Sequence, residues 1–195
     1  LDFTRQNRSG AMTNMLEAAL RYAELGYSIF PCAPGTKRPL TQNGFHDATT
    51  DAARIERWWT ERPNANIAIA TQGLLVVDVG ADATWLADDF AKQVELASGA
   101  MSLTAGGGRH YVFRQPEDRH WRNTTGALAE RVDTRADGGY IVVPPSVLAG
   151  GKAYRWAEGL ELDGPQSSLQ EPPTWLTAEL DTIATRGATF ASAAT

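Results

Sequence analysis

Leu74-Leu75-Val76-Val77-Asp78-Val79-Gly80 is a run of aliphatic residues broken by one carboxylate and closed by glycine. A short apolar run of this kind reads as a strand buried on both faces, the central strand of a sheet. A carboxylate inside it is costly to bury unless it is paired or binds a metal. Asp78 is therefore either the cap of the turn at Gly80 or a ligand. Strand-like segments lie on both sides: Tyr27–Pro31 and Asn66–Ala70 before it, then Ser102–Thr104, His110–Arg114 and Tyr140–Val143. Tyr154–Trp156 reads as a further strand. Helical spacing appears over Thr13–Leu25, from Thr50 to Pro63, over Ala83–Leu96 and over Trp175–Leu180. The mixture predicts an α/β chain with no obvious linker. Residues 1–12 read as a flexible arm, 13–182 as the folded domain and 183–195 as a flexible tail.

Composition excludes little. With 195 residues, 43% hydrophobic and 21% charged, the chain can bury its own core. The single cysteine, Cys32, rules out an internal disulfide and a Cys-based zinc site, and suits a reducing cytoplasm. No apolar run approaches the roughly 20 residues of a membrane span. The net charge of −5 argues against a broad electrostatic grip on nucleic acid but leaves room for a local basic groove.

Three further segments carry residues able to do chemistry. In Gly106-Gly107-Gly108-Arg109-His110-Tyr111-Val112-Phe113, three glycines permit close backbone approach, and Arg109 and His110 follow at once. This suits a phosphate, or is a flexible hairpin with a satisfied histidine. Arg131-Val132-Asp133-Thr134-Arg135, followed by Asp137-Gly138-Gly139-Tyr140, places Asp133 in a strand before a tight turn. It is otherwise an ordinary Asp/Arg surface pair. Gly35-Thr36-Lys37-Arg38-Pro39 is a basic loop without the spacing of a nucleotide-binding P-loop.

These stretches, with Gly26–Leu40, Gly44–Asp51, Trp58–Thr71, Gly138–Ser146 and Pro172–Leu176, occur in one order. In that order they resemble the bifunctional DNA primase–polymerase (prim-pol) domain of the archaeo-eukaryotic primase superfamily. The resemblance implies a central mixed sheet with helices and two small lobes around an active site. It implies nucleotidyl transfer to a 3′-hydroxyl on a DNA template and primer, using NTP or dNTP and two Mg²⁺ or Mn²⁺ ions. It makes Asp78 and Asp133 catalytic metal ligands and His110 a catalytic phosphate contact. Arg109 and Arg135 are inferred substrate contacts from their adjacency, and Lys37 a weaker one. Any helicase partner would lie outside this chain, and the setting would be the cytoplasm of a bacterium, with a plasmid or phage as alternative encoders. The few Cys and His residues leave no zinc-binding insertion.

One position departs from the family pattern. The first motif usually holds two acids separated by one residue, which puts both on one strand face. Here Gly80 occupies the second position, and the next acid is Asp82. In a straight strand Asp82 lies about 13 Å from Asp78. A bulge or turn at Gly80 would bring it back to the metal site. Without that, the chain is a catalytically impaired domain that binds nucleotide or DNA. A plain α/β domain of unrelated role is the remaining reading.

Overall fold

A computed structural model describes residues 15–193. The chain divides into two compact units, and the first is discontinuous: it takes the chain up to Ala70, then Tyr140–Trp156 and Asp163–Gln166.

In the first unit, helix α1 (15–24) buries Ala19, Tyr22 and Ala23. The helix stops where Gly26 takes φ +89°. There Tyr27 N–H returns to the Tyr22 carbonyl at 3.0 Å and Gly26 N–H to Ala23 at 2.9 Å, the paired closure that favours glycine at a helix end. The sheet runs β1 (Ile29–Cys32), β2 (Asn66–Ala70), β8 (Tyr140–Val142), with antiparallel pairings. Ile29, Phe30, Ile67 and Ile69 are fully buried. Helix α2 (Ala52–Glu61) begins at Asp51, whose carboxylate accepts from Arg54 N–H at 2.7 Å. It buries Ile55 and Trp59, and the Trp59 indole N–H donates to the Ala65 carbonyl at 3.0 Å.

Cys32 is buried in β1, and burial pushes its thiol pKa up to about 12. Since the thiolate is the reactive form, the native protein should show no reaction with a thiol reagent at pH 8, and one thiol after unfolding in guanidinium. Rapid labelling of the native state would contradict the burial.

The second unit is built on the strand read first. β3 (Leu74–Val79) pairs with β5 (Arg109–Arg114) on one side and β7 (Val132–Arg135) on the other. Outside these lie β4 (Ala100–Leu103) and β6 (Thr124–Ala129), giving the order β4-β5-β3-β7-β6. These four pairings are all antiparallel. Leu75, Val77 and Val79 share one face, and with Phe113, Val132, Leu96, Trp121, Leu176 and Leu180 they form a core. Helices α3 (Phe90–Leu96) and α4 (Thr174–Ala193) supply Leu96, Leu176 and Leu180.

Two expectations are corrected. Helix over Ala83–Leu96 shrinks to Phe90–Leu96. Leu86 adopts φ +61°, outside the right-handed helical region, and Asp89 caps the helix by accepting from Lys92 N–H at 3.0 Å. The closing helix, expected over Trp175–Leu180, runs over Thr174–Ala193. The expected arm 1–12 lies outside the described residues. No helix among those residues is long and apolar enough to cross a membrane.

Candidate active site

Register decides what the second unit brings together. Asp78 on β3 stands opposite His110 on β5 and opposite Asp133 on β7. Directly opposed residues on an antiparallel pair share a face, so the three side chains form one row across three strands. The face is the one away from Leu75, Val77 and Val79, because alternation sends Asp78 the other way. His110 is buried, while the Asp78 and Asp133 side chains keep 30% and 25% exposure, enough to meet a ligand from solvent. The His110 Nε2 lies 3.6 Å from Asp78 Oδ1. Asp133 is oriented from two directions: Gly126 N–H donates to Oδ1 and Arg135 Nη2 to Oδ2, each at 3.0 Å. Arg135, two residues along β7, is on the same face and balances that carboxylate.

The glycine segment sets where β5 begins. Gly107 N–H donates to the Thr104 carbonyl and Thr104 N–H to that of Gly108, both at 2.9 Å. A Cβ on Gly108 would lie 2.3 Å from the Val79 carbonyl oxygen. Only glycine lets the start of β5 lie against the end of β3, and that contact keeps His110 level with Asp78.

Other candidates are distributed differently. Arg109 faces Val79 in register and shares its face with Tyr111, so β5 alternation separates it from His110. Adjacency in sequence pointed to a shared phosphate contact; on a strand it means opposite faces. Asp82 does sit in a turn, closed by Ala83 N–H to the Gly80 carbonyl at 3.1 Å. Its carboxylate goes to Arg131 Nη1, at 2.9 Å, and stays 80% exposed. Gly80 itself extends the ladder, donating to the Arg131 carbonyl at 2.9 Å. Lys37 belongs to the first unit, exposed in the loop after β1.

Two participants escaped the sequence reading. Ser102 on β4 stands opposite His110, fully buried, its hydroxyl without a hydrogen-bond partner among the described residues. Only strand register reveals it. Gly126 belongs to β6, whose Thr-Thr-Gly-Ala-Leu-Ala lacks an apolar alternation.

The chain's own residues can be tested against the implied metal. Mg²⁺ and Mn²⁺ take oxygen ligands, and Mg²⁺ commonly uses one or two carboxylates with substrate phosphates completing its shell. Asp78 and Asp133, opposed and partly exposed, fit one such ion. Among the described residues no group of three or more His, Cys, Asp or Glu is arranged to hold a metal, so Asp82 does not join them as a third ligand.

A family model for the bifunctional DNA primase/polymerase N-terminal domain matches residues 19–175, a span that holds Asp78, His110 and Asp133. The chain belongs to this family. A prim-pol domain works on DNA and nucleotides, and the mixed α/β architecture with its large antiparallel sheet agrees with that membership. No curated protein matches the chain.

Proposed function

We propose that this prim-pol domain catalyses template-directed nucleotidyl transfer at the Asp78–His110–Asp133 row. The observation that carries the reading is register: three residues from distant parts of the sequence lie opposite one another on β5, β3 and β7. In the reaction the primer 3′-hydroxyl gives up its proton to solvent, its oxygen bonds to the α-phosphorus of the incoming NTP or dNTP, and the bond to pyrophosphate breaks. Asp78 and Asp133 would hold a divalent ion, Mg²⁺ or Mn²⁺, whose chemistry would be to lower the pKa of the 3′-hydroxyl and offset charge on the phosphates. His110 bonds a phosphate oxygen from its buried position beside Asp78. Arg135 supplies a guanidinium within reach of the same face and exchanges its bond to Asp133 for one to the triphosphate.

A second reading, an impaired domain that binds nucleotide or DNA without turnover, is favoured by Gly80. A side chain there would return to the Asp78 face, but its Cβ would sit 3.2 Å from the Arg131 carbonyl oxygen and 3.3 Å from Arg131 Cβ. The turn at Arg131 must give slightly to admit it. We expect the natural protein to extend a primed template with Mn²⁺, and Gly80→Asp to raise kcat about tenfold, equivalent to about 1.4 kcal/mol of transition-state stabilisation. Single-nucleotide extension kinetics on both proteins check this. Turnover only in Gly80→Asp would favour the impaired reading, and no gain over an active natural protein would clear Gly80 as a defect.

A further inference from the structure

The first unit carries a second feature that the Asp/His row does not use. On the 3₁₀ turn Gly44–Asp47, the His46 ring lies on Phe45 with centroids 4.1 Å apart and planes inclined by 34°. Phe45 in turn stacks on Tyr140 at 6.3 Å and 27°. Phe30, fully buried in β1, meets the Tyr140 ring edge-on at 5.2 Å and anchors the inner end. The outer end, His46, is exposed. The ladder thus finishes in a free ring on a fixed base, where side-chain entropy has already been spent.

Cations flank it. The Tyr140 hydroxyl donates to the Lys37 carbonyl at 3.2 Å, tying the basic loop to the ladder. Lys37 and Arg38 are exposed, and neither pairs with a carboxylate among the described residues. Arg54, which also reaches Asp47 of this turn, covers the half-exposed Trp58 ring at 4.8 Å. The acid on the turn itself, Asp47, is already engaged by Arg54 at 3.6 Å and by the Asn43 backbone and side-chain amides at 2.9 and 3.1 Å. The wider charge distribution agrees. From residue 15 onward, the first unit has eight Lys and Arg against seven Asp and Glu, the second eight against fifteen.

We propose that the Tyr140–Phe45–His46 ladder, with Lys37 and Arg38, is a docking surface for single-stranded DNA. Interleaved rings and cations suit a single strand, whose unpaired bases offer π-faces to stack while its phosphates meet the basic side chains. A duplex keeps those faces covered. The choice of DNA over RNA rests on the prim-pol reading; the surface itself stands on the ring and charge geometry.

The test is fluorescence anisotropy of a 5′-labelled oligo-dT with the full chain. His46→Ala should weaken binding about fivefold or more, and His46→Tyr should stay within about twofold of the natural protein. Lys37→Gln with Arg38→Gln should flatten the slope of log K against log salt by about 1.4, the contribution of two phosphate contacts on a single strand. Unfolding temperatures establish that the variants are folded. Natural affinity in His46→Ala, or equal loss in His46→Tyr, would overturn the stacking surface. Tighter binding to oligo-U than to oligo-dT would overturn the assignment to DNA. Primer extension by a protein whose binding ignores His46 would sink this inference alone. Loss of binding in His46→Ala, with no extension by any variant, would sink the catalytic reading and leave this one standing.

Discussion

Asp133→Ala should lower the rate of nucleotide incorporation by about three orders of magnitude, close to 4 kcal/mol of transition-state stabilisation. The size follows from how few ligands the site owns. Asp78 and Asp133 are the two acids in register, and no third carboxylate joins them among the described residues. Removing one leaves a single carboxylate for the ion. It also releases Arg135 from its 3.0 Å bond to Asp133. Asp133→Asn separates the two effects, since it keeps the side-chain shape and loses the charge. Both variants should be folded, because Asp133 is partly exposed and its bonds to Gly126 and Arg135 lie at the sheet surface. Steady-state incorporation with saturating primed template and Mn²⁺ checks the result. A variant retaining a tenth or more of the natural rate would remove Asp133 from the chemistry.

Gly108→Ala should cost about 3 kcal/mol of stability, at the upper end for overpacking, because the added methyl meets backbone and not a movable side chain. The Val79 carbonyl oxygen would lie 2.3 Å from the new Cβ, and Ala81 N and Gly80 C 3.3 Å from it. For a chain of this length that lowers the unfolding midpoint by roughly 6–12 °C. Activity should fall as well. Relief of the clash moves the start of β5 away from β3, and a displacement of about 1 Å of His110 from Asp78 can cost on the order of 10²-fold in rate. Gly106→Ala is the control: its nearest neighbour would be Thr104 Oγ1 at 3.9 Å, and its stability should change by less than about 0.5 kcal/mol. Thermal unfolding of the two variants side by side decides the matter. Equal midpoints would mean that β5 does not depend on this contact.

What the sequence revealed and what it hid divide along physical lines. Leu74–Val79 could be read as the central strand because buried strands announce themselves by continuous aliphatic residues, and Asp78 stood out against that background. The three glycines marked a close approach, but not that Gly108 alone makes it. Register remained hidden, since it depends on pairings between segments far apart in the chain. For that reason Ser102 went unnoticed opposite His110, and Arg109 was grouped with its sequence neighbour instead of with Val79 and Tyr111. The first unit shows the same limit. β8 joins β2 by pairing Val142 with Ala68, far apart in the chain, a closure that no local pattern records. The strand β6 was missed because its side chains are small and half-exposed, giving no alternation to read.

The most direct test of the central claim is extension of a primed DNA template by the natural protein with Mn²⁺, with and without a chelator. Four templates, each offering a different next base, show whether addition is directed. The account predicts addition of the complementary nucleotide in each case, abolished by the chelator and by Asp133→Ala. A folded protein that binds the primed template and adds no nucleotide under any of these conditions would contradict it.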